Sequence, residues 1–359
     1  MIKLLNWLKA KLPTPIKNLL RPMYHHYKQW HFKRRPTSYN YQQQKEAEIN
    51  RFNDEEEVND LPAIFHYWSN KYLVPKLQAH GFSNPNDFFL KYARETINAT
   101  SDKSNILSIG AGNCDTEVML AKQLCDLGLQ NFTIDCMDIN EMMFKRGMAL
   151  AENQGVTDKI KFKQADFNEW QADTKYDLII ANQSLHHVSN LEHLYDNIEM
   201  ALKTHGKFIT SDVIGRNGHQ RWPEALEVIQ RIWKDMPDRY KSNHSLKRFE
   251  KKYINHDCSI GNFEGIRAQD VLPLLANKFN FELFIPFANL IMVFIDRSFG
   301  PNFDVNNPVD LAFIDHVHQL DEEMMQKRII KPTQMLAVMS TRHKQKTTMD
   351  VSFAIKNNN

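Results

Sequence analysis

The sequence predicts an α/β protein built on a doubly wound, mostly parallel sheet of seven strands. Short apolar runs alternate with longer segments of helical periodicity, which is the pattern of repeated strand–helix–strand units. The first run ends in two glycines, and the second and third end in acidic residues. Because the carboxyl ends of parallel strands meet at one edge of a sheet, we expect these residues to line a common ligand site.

Local patterns predict each strand in chain order. Asn105-Ile-Leu-Ser-Ile109 is apolar enough for a strand buried on both faces, and Tyr176-Asp-Leu-Ile-Ile-Ala-Asn182 has the same character. The expected strands cover residues 105–109, 132–138, 159–167, 176–182, 206–214, 281–286 and 335–339. Insertions at about 216–264 and about 295–330 follow the fifth strand and separate the last two.

The glycines after the first strand lie where the backbone must approach a ligand closely. Gly110 and Gly112 have no side chain that would block a nucleoside, and the next helix offers free N–H groups. A dinucleotide site requires a third glycine, but Asp115 occupies that position. A pyrophosphate would meet this carboxylate, whereas S-adenosylmethionine has no phosphate and carries an ammonium. A plain strand–helix turn is the alternative interpretation.

Polar residues also follow the later strands. Asp138 can accept both ribose hydroxyls of a nucleoside, or it can cap the next helix. Asp166 can accept an adenine amino group with Phe167 beside the base, or it can be an ordinary turn residue. Asn182 ends the fourth strand and is followed by Gln-Ser-Leu-His-His187.

The order and spacing of these motifs resemble the class I S-adenosylmethionine-dependent methyltransferases over about residues 100–215, and more faintly to about 345. The resemblance implies a Rossmann-like fold and S-adenosylmethionine as the cofactor. It implies cofactor contacts at Gly110, Gly112, Asp115, Asp138, Asp166, Phe167 and Asn182. The family often has an acid where this chain has Ser108 and a small residue where it has Cys114. Ser108 leaves the cofactor's ammonium one acid short, and Asp115 is a candidate replacement.

Composition narrows the class of protein. The chain has 359 residues and a net charge of +2, so it is not an obvious nucleic-acid binder as a whole. Its four cysteines have neither metal-ligand spacing nor a disulfide pattern, which favours a cytoplasmic location. Asp315-His316-Val-His318 has no matching ligand set, so we expect a surface helix and no metal site. The sequence contains neither a transmembrane run nor a secretory signal.

The N-terminal arm, residues 1–45, contains ten Lys or Arg and no Asp or Glu. Apolar residues on one helical face, flanking lysines and nearby aromatics are typical of a helix lying in a membrane interface. Residues 1–35 therefore predict peripheral contact with an anionic membrane. Packing on the domain or a partner is a second interpretation, and RNA binding is a third.

The remaining boundaries follow from changes in composition. Residues 46–100 are predicted to form a polar linker followed by aromatic-rich helices. These helices either cover the cofactor or only pack on the core. Residues 101–348 form the methyltransferase domain with its two insertions, and residues 349–359 form a polar tail. The sequence leaves the oligomeric state open.

The acceptor-side candidates lie after the fourth and fifth strands, at the carboxyl edge of the sheet. They are His187, His219, Arg221, Trp222 and Arg267. His187 and His219 are the predicted catalytic residues, because histidine can take a proton from a hydroxyl. Arg221, Trp222 and Arg267 are the predicted substrate contacts, with a salt bridge or a helix cap as the alternative role of each arginine.

These residues predict a methyltransferase that modifies an oxygen of a small, glycan or lipid-linked acceptor near the cytoplasmic membrane. Methyl transfer is largely a problem of positioning, and a base assists when the acceptor is a hydroxyl. One alternative is an RNA methyltransferase, although Asn182-Gln-Ser-Leu lacks the Asn-Pro-Pro-aromatic signature of many base-modifying enzymes. The other alternative is a non-catalytic adaptor that keeps the fold.

Overall fold

A seven-stranded sheet runs through the molecule in the order β3-β2-β1-β4-β5-β9-β8. The structure is a computed structural model that describes residues 41–43, 45–46, 49–50, 61–342 and 349–355. The strands are β1 (Ser104–Ile109), β2 (Phe132–Asp138), β3 (Ile160–Gln164), β4 (Tyr176–Asn182), β5 (Leu202–Val213), β6 (Ser242–Asn243), β7 (Arg248–Phe249), β8 (Phe279–Phe287) and β9 (Gln334–Thr341). The predicted membrane contact of residues 1–35 lies outside the described residues.

Strand direction agrees with the predicted fold class. Strands β1 to β5 pair in parallel, while β9 runs antiparallel between β5 and β8. The mostly parallel seven-stranded sheet is therefore confirmed. The third strand ends at Gln164, before the predicted Asp166 and Phe167, and the fifth begins at Leu202, earlier than expected.

Helices cover both faces of the sheet. They are α1 (Ala63–Trp68), α2 (Val74–Gln78), α3 (Pro85–Ala99), α4 (Asp115–Asp126), α5 (Glu141–Gln154), α6 (Leu191–Ala201), α7 (Pro223–Asp235), α8 (Ala268–Lys278), α9 (Met292–Ile295), α10 (Pro308–Gln326) and α11 (Ser352–Ile355). Within the described part of the chain, no helix combines the length and apolar composition needed to cross a bilayer.

Successive residues of the central strands belong alternately to two hydrophobic cores, one on each face of the sheet. Ile106 and Leu178 belong to one core, whereas Leu107 and Ile179 belong to the other. Burial on both faces is why these strands read as continuous apolar runs. Each fully buried aliphatic side chain of this kind contributes about 1.5–3 kcal/mol to folding.

The aromatic-rich helices α1 to α3 pack into the first of these cores. Ile64, Trp68 and Phe88 are almost fully buried there. Asp315 of α10 accepts hydrogen bonds from Tyr67 and Tyr72, so the Asp-His-Val-His motif joins two helices. Of the two roles considered for residues 61–99, the structure shows packing, and none of these residues lines the cofactor cleft described below.

Candidate cofactor and acceptor site

A cleft of about 230 Å³ opens at the carboxyl ends of β1, β2 and β4. The structure brings all of the predicted cofactor contacts into its lining. They are Gly110, Gly112, Asp115, Asp138, Asp166, Phe167 and Asn182. His187, the favoured catalytic residue, also lines this cleft.

The floor of the cleft is the turn between β1 and α4. Gly110 and Gly112 have φ angles of 71° and 55°, in the left-handed region that favours glycine. A Cβ added to Gly110 would lie 2.5 Å from the Cβ of Ser184, so no side chain fits there. A Cβ on Gly112 would meet only Met143 Sδ at 3.8 Å, so its constraint is the backbone conformation.

Asp138 ties the end of β2 to this turn. Its Oδ2 accepts the Gly112 N–H at 3.0 Å, and its Oδ1 accepts the Asn140 N–H at 3.0 Å. Burial raises the pKa of its carboxyl group. The helix-capping role considered for Asp138 belongs to Asn140, which accepts the Met142 N–H. A carboxylate has about four acceptor positions, so Asp138 retains capacity for hydroxyl donors.

Asp166 is held from across the cleft by residues of the N-terminal segment. Tyr41 Oη donates to both carboxylate oxygens at 2.6 Å, and Lys45 Nζ lies 2.7 Å from Oδ2. Burial acts to raise the pKa of Asp166, but the bonds from Lys45 and Tyr41 outweigh it and hold the pKa below its ordinary value. Tyr41 and Ile49 also line the cleft, so this segment covers the predicted adenine side.

Glu117 is a cleft residue that the sequence did not single out. It is only 3% exposed, and Ser108 Oγ donates to its Oε1 at 2.6 Å. Among the described residues, no group hydrogen-bonds to its Oε2. Burial raises the pKa of this carboxyl group to about 7. Glu117 therefore places a buried carboxyl group beside Ser108, and an acid on the apolar face of α4 was the available sequence signal.

The chemistry of this lining fits S-adenosylmethionine. Glu117 offers a buried carboxylate oxygen to an ammonium, and Asp138 offers acceptors to hydroxyls. Ile139, Met143 and Phe167 supply apolar surface. Within the described lining there is no lysine or arginine to hold a pyrophosphate, which agrees with the argument against a dinucleotide.

The acceptor side contains a group of histidines and acids, of which His186 and Asp212 are buried and His219 and Glu264 half-buried. His186 Nδ1 lies 2.7 Å from Asp212 Oδ1, and His219 Nε2 lies 2.7 Å from Glu264 Oε1. Burial acts to lower the pKa of His186, but Asp212 and Glu264 outweigh it and raise the pKa to about 10. Burial lowers the pKa of His219. His219 does not line the cleft, whereas His187, whose ring lies 4.3 Å from that of His186, does.

The three predicted substrate contacts lie away from the cleft lining. Arg267 forms a two-pronged ion pair with Glu192 and bonds to Asp270, so its alternative salt-bridge role is the one the structure shows. Arg221 is buried and donates to the Asn289 carbonyl at 3.0 Å. Trp222 packs its ring 3.8 Å beneath the Lys331 ammonium. The structure therefore does not bring these side chains together with His187.

A parallel sheet with its seventh strand antiparallel, a glycine turn after β1 and an acid ending β2 define the class I S-adenosylmethionine-dependent methyltransferase fold. Residues 100–275 match the family described as "Methyltransferase domain", which identifies this part of the chain as a class I S-adenosylmethionine-dependent methyltransferase domain. The predicted family and its S-adenosylmethionine cofactor are confirmed at this level.

Known proteins of several specificities are similar to this chain. Sarcosine/dimethylglycine N-methyltransferase of Aphanothece halophytica is 24% identical over 139 residues, which are 36% of this chain and 48% of that protein. Malonyl-(acyl-carrier protein) O-methyltransferase 2 of Ilyobacter polytropus is 29% identical over 133 residues, which are 37% of this chain and 48% of that protein. The chain spans about half the length of these two curated relatives.

A solved structure of geranyl diphosphate C-methyltransferase from Streptomyces coelicolor A3(2) is also similar. It covers 83% of this chain and 98% of its own chain, with 12% identity and a TM-score of 0.43. That structure was determined with Mg²⁺, geranyl diphosphate and S-adenosyl-L-homocysteine.

Proposed function

We propose that this protein transfers the methyl group of S-adenosylmethionine to an oxygen of a small-molecule acceptor. The observation that carries the proposal is the pairing of Glu117 with Ser108 beside the glycine turn. A buried carboxylate with a spare oxygen at this place suits the amino-acid end of the cofactor. A buried carboxylate without a partner raises the free energy of the folded protein. The ammonium of the bound cofactor would offset this cost.

Each part of the cleft has a role in positioning the cofactor. S-adenosylmethionine supplies a methyl group bonded to a positively charged sulfur. Glu117, with Asp115 at the cleft entrance, attracts the ammonium, while Asp138 accepts the ribose hydroxyls. Asp166 accepts the adenine amino group beside Phe167, sharing its oxygens with Tyr41 and Lys45.

His187 is the proposed base. It stands on the turn that follows β4 and lines the same cleft as the cofactor residues. A hydroxyl becomes a good nucleophile only as its proton leaves, and a neutral imidazole within reach can accept that proton. This requirement favours an oxygen acceptor, because an amine attacks without prior loss of a proton.

We also propose that the acceptor is small or carried on a lipid or glycan at the inner membrane surface. The basic and amphipathic composition of residues 1–35 supports this location. Removing residues 1–35 should then weaken binding to anionic phospholipid vesicles at least about tenfold and leave binding to neutral vesicles unchanged. Equal binding to both vesicle types would refute the membrane part of the proposal.

The decisive experiment is calorimetric titration of the full chain with S-adenosylmethionine, followed by transfer from methyl-labelled cofactor. We expect binding that Asp138→Ala abolishes and that the exposed control Asp126→Ala preserves. Label should enter water-soluble or lipid fractions of a cell extract. Label found in RNA would favour an RNA methyltransferase, and absence of cofactor binding would favour a non-catalytic adaptor.

A further inference from the structure

A compact group of metal-binding side chains lies at the acceptor end of the cleft. One ligand atom from each of His186, His219 and Glu264 lies within 4.8 Å of the others. Glu264 Oε1 is 2.7 Å from His219 Nε2 and 3.5 Å from His186 Nε2. Ligands that share one zinc ion at about 2.0–2.2 Å stand roughly 3–3.5 Å apart, so the 3.5 Å separation already suits coordination, whereas the 2.7 Å contact between Glu264 and His219 would open by less than about 1 Å.

A second carboxylate orients the most buried of these ligands. Asp212 is fully buried, and its Oδ1 lies 2.7 Å from Nδ1 of His186. Its other oxygen accepts the N–H groups of Ser184 and Leu185 at 3.0 and 2.7 Å, so the carboxylate cannot turn away. Metal-binding histidines characteristically donate their second nitrogen to such a carboxylate, which fixes the ring for coordination.

The backbone around His219 is built to hold that ring beside Glu264. His219 has a φ of 55°, an uncommon conformation for a residue with a side chain. The adjacent Gly218 donates its N–H to Gly265 O at 2.8 Å. A Cβ on Gly218 would lie 2.0 Å from Asp257 Oδ1, so this position requires glycine. Strained residues held by their surroundings cluster at functional sites.

We propose that His186, His219 and Glu264 bind a divalent transition-metal ion, with Asp212 holding His186 in place. Two imidazoles and one carboxylate form a donor set that zinc and related ions accept while keeping positions open for another ligand. The carboxylates of Glu264 and Asp212 also supply the negative charge that such an ion neutralises.

The position of the ion gives it a natural role. His187 and Phe263, the chain neighbours of His186 and Glu264, both line the cleft. An acceptor oxygen entering the cleft could therefore become a further ligand of the ion, which would lower the pKa of a hydroxyl. This role rests on the proposed function, whereas binding of the ion does not.

A second group of three, Cys114, Glu117 and Cys136, is the rival location. Glu117 of this group is the proposed partner of the cofactor's ammonium, so this location is the less favoured one. The two sites have different spectroscopic signatures, because only cysteine ligation gives thiolate-to-metal charge transfer.

The test is titration of the chelator-treated full chain with Co²⁺, followed by its visible absorption. We expect one equivalent to bind with ligand-field bands and without thiolate charge transfer. His219→Asn, which suits the left-handed backbone, and Glu264→Gln should each weaken binding at least about tenfold. His80→Asn, which changes an exposed histidine elsewhere, should bind as the wild type does.

Circular dichroism and binding of S-adenosylmethionine verify that each variant is folded. His219→Asn and Glu264→Gln change different ligands, so each tests the site separately. Absence of stoichiometric Co²⁺ binding would overturn the proposal. So would bands that persist in both folded variants, or thiolate charge transfer that disappears in Cys136→Ser. Loss of cofactor binding with normal Co²⁺ binding would instead count only against the proposed methyl transfer.

Discussion

The cofactor end and the acceptor end of the cleft are assembled in different ways. At the cofactor end, Gly110, Asp138 and Asn182 lie at the ends of β1, β2 and β4, three neighbouring parallel strands of the sheet. At the acceptor end, His186, His219 and Glu264 come from three separate segments joined through buried polar contacts. The sheet itself therefore fixes the first set, whereas the second depends on how the insertion folds back.

This difference predicts whether a substitution should mainly change ligand binding or also change folding. A residue at a strand end is positioned by the sheet, so changing it should alter binding more than folding. A residue in the insertion is positioned by its polar partners, so changing it should disturb geometry as well as chemistry. The variants below test each half, beginning with the largest expected effect.

Gly110→Ala should abolish measurable cofactor binding. The added Cβ would lie 2.5 Å from the Cβ of Ser184, and the residue must also keep a φ of 71°. Gly155→Ala is a matched control, because Gly155 has a φ of 68° and no atom within 4 Å of the added Cβ. Both variants place alanine in a left-handed backbone conformation, which costs about 1 kcal/mol of folding free energy. Calorimetric titration and thermal unfolding of the two variants therefore separate this cost from the effect of the steric clash at Gly110. Equal cofactor binding by the two variants would contradict the assignment of the turn.

His187→Gln should lower the rate of methyl transfer by about 10²–10⁴-fold and leave the affinity for S-adenosylmethionine unchanged. The reason is that His187 lines the cleft as the proposed base for the acceptor, whereas the cofactor is held by other residues. The measurement is the rate at which label passes from methyl-labelled cofactor to the extract fraction that contains the acceptor. His205→Gln, which changes an exposed histidine, is the control. A variant that keeps the wild-type rate would require another base.

Glu117→Gln should weaken cofactor binding by about 10–100-fold, since a hydrogen bond to a charged group contributes about 1.5–3 kcal/mol. Asp115→Asn should have a smaller effect, because Asp115 is exposed and Glu117 is buried. Calorimetric titration of both variants compares the two carboxylates directly. A larger effect at Asp115 would restore it as the main replacement for the acid missing at Ser108.

The same carboxyl group predicts a pH dependence. Burial raises the pKa of Glu117 from 4.5 to about 7 in the cofactor-free protein, so the group is largely protonated at lower pH. Affinity for the cationic cofactor should therefore rise as pH increases through about 7, and Glu117→Gln should lack this rise. Because the folded state favours the protonated form, the free energy of unfolding should fall between pH 4.5 and about 7. Urea unfolding across this range measures that fall, and a cofactor affinity that does not vary with pH in the wild type would count against the assignment.

The sequence predicted the strands and their terminal residues because those signals are local. Six residues from Ser104 to Ile109 are enough to specify a buried strand, and glycine or aspartate directly after a strand is visible without knowing the fold. The residues that were missed depend on contacts that form only in the folded chain. Tyr41 contacts Asp166 across 125 residues, which no spacing in the sequence predicts. Glu117 contacts Ser108 across nine residues, and its sequence signal is an acid on the apolar face of α4.

The same limit explains the absence of a predicted metal site. The three proposed ligands follow β4, follow β5 and precede α8, so they have none of the short spacings of known metal motifs. The two arginines illustrate a second limit. Arg221 and Arg267 follow strands at the correct edge of the sheet, but their side chains bond to protein groups outside the cleft lining.

Arg267→Gln should have the smallest effect of these variants, and it tests whether Arg267 contacts the acceptor. Its guanidinium pairs with Glu192, a half-exposed partner, so its loss should lower the free energy of unfolding by about 0.5–1 kcal/mol. Urea unfolding of Arg267→Gln, Glu192→Gln and the double variant measures the interaction free energy between the two side chains. This interaction should account for most of the stability that Arg267→Gln loses. Cofactor affinity and the apparent affinity for the acceptor should stay within twofold of the wild type. A tenfold loss of acceptor affinity without a change in stability would instead return Arg267 to the acceptor site, and the start of α8 would then contribute a substrate contact as the sequence predicts.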